Sequence, residues 1–219
     1  MILIPVKNLS NAKQRLATVF DQGTRMALAH AMLDDVVQTV AEDGGDDVAL
    51  VTSDRFAMDL ADKHGFEIIR DEANRSETDA IEMATRVVEQ RGIESTLVIP
   101  GDIPLIEATD IRVIYERAPT RGSVLVPSGD ERGTNAALRR PAGLFPLRFG
   151  DDSFVPHLAA AKAAADPCVV LEIPRIALDI DTIEDLLELA HAPGQKSSQL
   201  LARDLISAME HSLKPILAG

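Results

Sequence analysis

The fold of this chain is set by the stretch STLVIPGDIPLI at residues 95–106. Its apolar run ends abruptly in Pro-Gly-Asp-x-Pro, a pattern typical of a buried strand that meets a stiff turn. The strand thus delivers one carboxylate, that of Asp102, to its C-terminal end. Ligands of open α/β sheets bind outside the carboxyl ends of the strands, so Asp102 is expected where a metal ion or a phosphorylated group is held. The alternative is that Asp102 caps a helix beginning near Glu107.

Strand and helix patterns alternate before this stretch. They predict a strand over residues 1–6, a long amphipathic helix capped by Asp21 and ended by Gly44-Gly45, a strand over 48–52, a helix from Asp54 to Gly65 and a strand over 66–70. Such a series requires a largely parallel sheet covered by helices on both faces. We therefore predict an α/β protein with a three-layer αβα architecture.

The second half continues the alternation without a Ser-, Gly- or Pro-rich break. The patterns predict helices over residues 79–90, 107–115, 153–165 and 200–217, and strands over 123–127, 136–139 and 169–173. A single domain over residues 1–219 is therefore expected, with a core at 1–190 and a C-terminal helical extension at 191–219. The final helix is expected to serve either in packing or as the subunit contact of a homodimer.

The composition indicates an aliphatic core and an acidic surface. Hydrophobic residues make up 46% of the 219 residues but aromatic residues only 3%, and 35 acidic against 22 basic residues give a net charge of −13. This charge disfavours nucleic acids and anionic membranes, so a polyanionic ligand requires a local basic cluster or a metal ion. Cys168 is the single cysteine, which excludes a disulfide framework and is typical of the cytoplasm. No apolar run approaches the roughly 20 residues of a membrane helix, so a soluble, untargeted protein is expected.

Three cations follow the first strand within a short segment: Lys7, Lys13 and Arg15. This segment is the best candidate for a phosphate-binding loop in an otherwise acidic chain. It contains no glycine, so it is neither a Walker A loop nor a dinucleotide-binding turn, and its grip on phosphate would come from side-chain charge. The alternative is a solvated basic stretch.

Asp179 and Asp181 form an Asp-x-Asp pair near the end of the α/β pattern. In an extended segment alternate side chains point the same way, so the two carboxylates can converge on one hard cation. The alternative is that some of the acids here belong to a helix start, because Thr182 with Asp185 resembles a capping box.

Hydroxyl and backbone donors are concentrated in two later segments. Thr134 lies in a glycine-bracketed turn, and Ser153 is expected to cap a helix beside Gly150, where an anion can bind. The alternative is that Asp151-Asp152 occupy those donors themselves. His157, one turn into the helix, is more typical of a structural than of a catalytic histidine.

These features combine a phosphate-binding loop, a carboxylate after the central strand and a late pair of carboxylates. Carboxylates hold Mg²⁺, which shares its remaining positions with substrate phosphates. The combination suits nucleotidyl or phosphoryl transfer and needs no protein nucleophile.

Five ordered motifs resemble the 2-phospho-L-lactate guanylyltransferase family, over residue 1 to about Leu186. They are IPVK (4–7) with AKxRL (12–16), PGDIPL (100–105), RGTN (132–135), FGxxSFxxH (149–157) and LDIDT (178–182). The resemblance implies the nucleotidyltransferase branch of the GT-A-like fold. It also implies a Mg²⁺-dependent enzyme of coenzyme F-420 biosynthesis that transfers GMP from GTP to a small phosphorylated acid and releases pyrophosphate. The acid is 3-phospho-D-glycerate, phosphoenolpyruvate or 2-phospho-L-lactate.

The resemblance further implies roles for nine residues. Mg²⁺ would be held by Asp102, Asp179 and Asp181. The carboxylate and phosphate of the acid would be held by Thr134, Gly150 and Ser153. The triphosphate would be faced by Lys7, Lys13 and Arg15, which together with Asp102 form the catalytic set.

One segment departs from the family pattern: the usual Gly-Leu-Asn is replaced by Ser76-Glu77-Thr78. The polar loop with Asn74 and Arg75 is expected at the same sheet edge as Asp102, so the departure bears on recognition of the nucleotide or the acid. The preference for guanine rests on the resemblance alone. Two alternatives stay open: a nucleotidyltransferase with another acceptor, such as a molybdopterin, and an inactive nucleotide-binding module that regulates a partner.

Overall fold

The computed structural model describes residues 1–43, 47–73, 75–150 and 152–217. The helix stop predicted at Gly44-Gly45, the loop residue Asn74 and the acidic residue Asp151 lie outside the described residues. Within those ranges, no helix combines the length and the apolar character that crossing a membrane requires.

A seven-stranded sheet forms the centre of the fold. Its strands are β1 (Ile2–Val6), β2 (Val48–Thr52), β3 (Glu67–Arg70), β4 (Thr96–Val98), β5 (Gly122–Pro127), β6 (Thr134–Arg140) and β7 (Cys168–Val170). The strand order is β3-β2-β1-β4-β6-β5-β7. Only β6 runs antiparallel to its neighbours, β4 and β5, whereas the other pairs are parallel. The predicted α/β class with a mostly parallel sheet is confirmed.

Helices cover both faces of this sheet. They are α1 (Gln22–Asp43), α2 (Arg55–His64), α3 (Glu77–Gln90), α4 (Ala108–Arg117), α5 (Phe154–Ala163), α6 (Pro174–Ala177), α7 (Ile183–His191) and α8 (Ser197–Leu217). The alternation of side chains along β1 separates two apolar clusters: Ile2 and Ile4 pack with α1, α2 and α4, whereas Leu3 packs with α3 and α5. The three-layer αβα architecture is therefore confirmed.

The last helix belongs to a third apolar cluster. Ala202 of α8 packs there with Leu186 and Leu189 of α7 and with Leu28 of α1. Burial of these side chains holds the C-terminal segment against the sheet-covering helices. The single domain over 1–219, with a core at 1–190 and an extension at 191–219, stays a prediction.

Several helix boundaries differ from the predicted ones by one to three residues, among them the start of α3 and the end of α5. Helix α3 begins at Glu77 rather than Asp79, because the hydroxyl oxygen of Ser76 accepts the N–H of Asp79 at 3.0 Å and so caps the helix earlier. Helix α5 ends at Ala163, and Ala165, predicted as its last residue, lies in the left-handed region with φ +60°.

The helix after the Asp102 turn has its own cap. Helix α4 begins after Glu107, whose N–H donates to the carboxylate of Asp110 at 2.9 Å. The alternative in which Asp102 caps this helix is therefore wrong, and its side chain contacts Lys13 instead.

The antiparallel direction of β6 brings its first residues to the edge where β4 ends. Val98 of β4 pairs with Ala137 of β6, and Pro127 at the end of β5 pairs with Thr134. Since β1 and β4 are parallel, the end of β1 at Val6 lies at the same edge. The loop after β1, the Asp102 turn and the start of β6 thus lie at the same edge of the sheet.

Candidate active site

Two adjoining cavities occupy this edge of the sheet. The larger, of about 650 Å³, is lined by seven of the nine predicted site residues: Arg15, Asp102, Thr134, Gly150, Ser153, Asp179 and Asp181. The smaller, of about 260 Å³, is lined by the other two, Lys7 and Lys13. Both cavities share Glu77, Pro100 and Asp102. The structure therefore brings all nine residues to one region, with Asp102 at the junction.

Lys13 joins two of the predicted metal-binding carboxylates. Its ammonium lies 2.8 Å from Asp102 Oδ2 and 3.0 Å from Asp181 Oδ1, and its side chain is only 7% exposed. Burial by itself would lower the pKa of Lys13, but the two carboxylates more than offset it and raise the pKa above its ordinary value. Lys13 is therefore a permanent cation between Asp102 and Asp181.

Asp179 is held by a residue to which the sequence assigned no role. The side-chain amide of Asn135 donates to Asp179 Oδ1 at 3.0 Å and to the carbonyl of Ile176 at 2.9 Å. Burial raises the pKa of Asp179, and the negative charges of Asp102 and Asp181 add to that rise. The clustering of like charges favours a cation at this point. Asn135 belongs to the RGTN motif, which was the available signal.

The Asp-x-Asp pair faces the larger cavity from an extended segment. Ile180 between the two acids is fully buried, while Asp179 and Asp181 line the cavity, as alternation predicts. The capping box is also present, because Asp185 accepts the N–H of Thr182 at 2.7 Å. Capping of helix α7 thus explains the position of Asp185 but not the positions of the Asp179 and Asp181 side chains.

The other two cations of the loop after β1 are also paired with acids. The ammonium of Lys7 lies 2.7 Å from the carboxylate of Asp71, and the guanidinium of Arg15 lies 3.3 Å from that of Asp181. The loop itself is held in place because the N–H of Leu9 donates to Asp54 at 3.0 Å. The loop is thus held by ion pairs, with Lys13 buried but the Arg15 side chain still 60% exposed, and its role in binding phosphate stays a prediction.

Two buried hydroxyls form one wall of the larger cavity. The N–H of Thr134, at the start of β6, donates to Ser153 Oγ at 3.0 Å, and Thr134 Oγ1 lies 2.9 Å from Nδ1 of His157. The expectation that the Ser153 hydroxyl caps α5 is wrong: Ser153 occupies the cap position, but its hydroxyl binds β6 instead. His157 is buried, and its Nε2 accepts the N–H of Arg148 at 2.6 Å; that it is not a catalytic histidine stays a prediction.

The start of α5 offers fewer donors than the sequence predicts. The N–H of Phe154 already donates to the carbonyl of Arg132 at 2.8 Å, and Pro156 has no N–H. Asp152 forms an exposed ion pair with Arg132. Gly150 has φ +125°, and a Cβ added there would meet no atom within 4 Å. An anion at this wall would therefore be held by the two hydroxyls and the open backbone at Gly150.

Glu77 is a site residue that the sequence identified only as a departure from a pattern. It lies at the start of α3 and lines both cavities. Burial, reinforced by the charge of Asp102, raises the pKa of Glu77 to about 7, against the opposing effect of Lys7 and Lys13. A carboxyl group of variable charge thus lies where the two cavities meet.

Two solved structures share this fold. A protein from Desulfovibrio desulfuricans assigned to the nucleotide-diphospho-sugar transferases has a TM-score of 0.78 at 17% identity and covers 96% of both chains. A CMP:2-keto-3-deoxy-manno-octonic acid synthetase complexed with CTP has a TM-score of 0.57 at 13% identity, over 93% of this chain and 98% of that one. At such identities the likeness establishes the fold, and it agrees with the predicted nucleotidyltransferase fold.

Sequence comparison identifies the family. The family model described as "Guanylyl transferase CofC like" matches residues 1–214. A phosphoenolpyruvate guanylyltransferase from Roseiflexus castenholzii is 33% identical over 204 residues, which cover 93% of this chain and 94% of that protein. A 2-phospho-L-lactate guanylyltransferase from Methanothermobacter thermautotrophicus is 30% identical over 214 residues, which cover 97% of this chain and 92% of that protein. The resemblance predicted from five motifs is confirmed, and the chain belongs to the CofC-like guanylyltransferase family.

Proposed function

We propose that this enzyme transfers GMP from GTP to a small phosphorylated acid and releases pyrophosphate, in coenzyme F-420 biosynthesis. The observation that carries the proposal is the position of Asp102 at the junction of two cavities, one lined by cations and the other by hydroxyls. The acid belongs to the class of phosphoenolpyruvate, 2-phospho-L-lactate and 3-phospho-D-glycerate. The first two appear in the names of the relatives.

The two cavities suit the two substrates. The smaller one contains Lys7 and Lys13, whose charges would offset a triphosphate that a chain of net charge −13 otherwise repels. The larger one contains Thr134, Gly150 and Ser153, which would bind the carboxylate and phosphate of the acid. Arg15 lies in the larger cavity and would face the triphosphate from there.

The reaction needs positioning and charge stabilisation but no covalent intermediate with the protein. An oxygen of the acid's phosphate attacks the α-phosphorus of GTP, a new P–O bond forms, and the bond between the α-phosphorus and the bridging oxygen breaks. The electron pair leaves with pyrophosphate. Lys13 and Arg15 would stabilise the charge that develops on the leaving group.

Three carboxylates suit Mg²⁺ as a cofactor. Asp102, Asp179 and Asp181 supply oxygen ligands, and the amide of Asn135 fixes one of them. Among the described residues no three acidic, histidine or cysteine side chains already form a metal-binding group. Lys13 already pairs with two of the carboxylates, so a divalent ion would compete with its ammonium for them. When bound, Mg²⁺ would neutralise charge on the reacting phosphates.

Release of pyrophosphate tests the proposal directly. The chain is incubated with Mg²⁺, each of four nucleoside triphosphates and each of the three acids, and the products are identified by mass spectrometry. We expect release with GTP and at least one acid, together with a guanylylated acid. Asp102→Asn is the matched control, because it keeps the shape of the side chain and removes its charge.

The alternatives are separated by adding a molybdopterin as a further acceptor and by measuring GTP binding separately by calorimetry. GTP binding without release of pyrophosphate for any acceptor would support the inactive regulatory module. Release only with a molybdopterin would support the other acceptor class. Either result would contradict the proposal.

The proposed enzyme works in the cytoplasm, with GTP and the acid as its partners and with neither nucleic acid nor a membrane. The acidic surface and the single Cys168 support this. A homodimer through the C-terminal helices is supported by Leu187 and Leu200, which are exposed on α7 and α8. Light scattering coupled to gel filtration measures the oligomeric state, and a monomeric mass would contradict the homodimer.

A further inference from the structure

The imidazole of His157 lies directly behind a hydroxyl that lines the larger cavity. The ring is 1% exposed, and it does not itself line the cavity. One ring nitrogen contacts Thr134 Oγ1 at 2.9 Å, and the other contacts the backbone N–H of Arg148 at 2.6 Å. Phe149 packs edge-on against the ring, with centroids 5.3 Å apart. The ring is thus fixed in position and in orientation.

The contact with Arg148 decides which nitrogen carries the proton. Nε2 accepts the N–H of Arg148, so Nε2 is unprotonated. In a neutral imidazole the proton is then on Nδ1, which donates to the hydroxyl oxygen of Thr134. Burial, reinforced by the charge of Arg139, lowers the pKa of His157 to about 4, so the ring is neutral at physiological pH.

The hydrogen bonds that Thr134 and Ser153 accept show where their hydroxyl protons can point. A hydroxyl has one proton to donate and two lone pairs that accept. Thr134 Oγ1 accepts from His157, and Ser153 Oγ accepts from the N–H of Thr134. Within the described part of the chain, neither hydroxyl donates a hydrogen bond to the protein. Both protons are therefore available to a ligand in the cavity, which makes this wall a pair of donors suited to an anion.

We propose that His157 is a positioning residue, which orients the Thr134 hydroxyl so that its proton points into the cavity and binds an anionic group of the phosphorylated acid. The inference rests on the proposed function and extends it. It explains why the site would prefer an anionic ligand by the action of a buried residue, His157, that does not touch the substrate. His157 is not a general acid or base here, since Thr134 separates it from the cavity.

Two substitutions of similar size separate orientation from packing. In His157→Asn the amide nitrogen takes the place of Nδ1 and can still donate to Thr134. In His157→Gln the amide group takes the place of Nε2, keeps the contact with Arg148 and loses the donor. We expect His157→Gln to raise KM for the acid about tenfold or more, as for loss of one hydrogen bond to a charged group. Turnover and KM for GTP should change by less than about twofold, and His157→Asn should stay close to wild type.

A double-mutant cycle tests whether His157 acts through the hydroxyl. Thr134→Val removes the hydroxyl at nearly constant shape, so His157→Gln should add no further loss in that background. Long-range ¹H–¹⁵N NMR of the wild-type chain should show the proton on Nδ1. A structural role alone predicts additive losses that include turnover and KM for GTP.

The possible failures are distinguishable. Wild-type turnover with an acid, combined with an unchanged KM for that acid in His157→Gln, would overturn the inference alone, and so would a proton on Nε2 or additive losses in the cycle. Absence of turnover by the wild-type chain with every acid would overturn the proposed function, and the inference with it.

Discussion

His157→Gln removes a group whose pKa the fold lowers strongly, so its effect on stability must depend on pH. Burial and the nearby charge of Arg139 lower the pKa of His157 from 6.5 to about 4. The unfolded chain takes up a proton on this side chain as the pH falls through its ordinary pKa, whereas the folded chain does so only near pH 4. The free energy of unfolding therefore decreases as the pH falls from 6.5 to about 4. The full stabilising contribution of the neutral His157 is present above pH 6.5.

The magnitude follows from the size of the shift. One pKa unit corresponds to about 1.4 kcal/mol, so the whole interval amounts to about 3 kcal/mol of unfolding free energy. At about pH 5.5 the protein has lost about 1.4 kcal/mol of this contribution to the unfolding free energy, whereas at about pH 7.5 it has lost almost none. Since the side chain is only 1% exposed, screening by solvent has little effect on the value.

Urea unfolding of the wild type and of His157→Gln at these two pH values isolates the contribution, because the other titrating groups are common to both chains. We expect the stability advantage of the wild type to shrink by about 1.4 kcal/mol between about pH 7.5 and about pH 5.5. His191→Gln, at an exposed histidine on α7, is the matched control. A wild-type advantage that stays constant to within about 0.3 kcal/mol would refute the argument from burial.

Three further outcomes are expected. Asp102→Asn should lower turnover by about 10²-fold or more with an unchanged circular dichroism spectrum, since it removes charge at a solvent-facing edge; near-normal turnover would contradict its role. Gly150→Val should raise KM for the acid more than Ser153→Ala does, because it adds a side chain at φ +125° where the proposed acid would bind; the reverse order in steady-state kinetics would count against that site. Glu77→Gln should raise the free energy of unfolding above about pH 7 but not below about pH 4.5, because ionising this carboxyl destabilises the fold as the pH rises towards its raised pKa; equal effects on urea unfolding at both pH values would contradict this.

Helix boundaries were predictable where a cap lies close in sequence. Asp21 accepts the N–H of Thr24 at 2.7 Å, Asp54 accepts that of Ala57 at 3.2 Å, and Gly65 ends its helix at φ +70°. The two partners of each cap lie within four residues of one another, so the local sequence is enough to predict where the helix begins or ends. The start of α3 follows the same rule, since a Ser-x-x-Asp signature begins at Ser76 and sets the start at Glu77, two residues before the predicted one.

The ion pairs of the site were not predictable in the same way. Lys13 contacts Asp102 across 89 residues and Asp181 across 168. Lys13 also adopts the left-handed conformation, with φ +54°, which residue type does not indicate for a lysine. Strand ends predict which residues reach an edge, but tertiary packing decides which of them pair. The contact between His157 and Thr134 is of the same kind.

The direction of β6 brings Thr134 and Asn135 to the edge of the sheet where the two cavities lie. A connection of only six residues, 128–133, separates β5 from β6, and such a short connection permits only antiparallel strands. The glycine-bracketed turn was therefore a sufficient signal for an antiparallel pair within a sheet predicted as largely parallel. If β6, with its seven residues, ran parallel to β4, Thr134 and Asn135 would lie at the opposite edge, about 20 Å away. Asn135 could then not hold Asp179, nor could Thr134 line the same cavity as Asp102, so the single reversed strand is a geometric requirement of the proposed reaction.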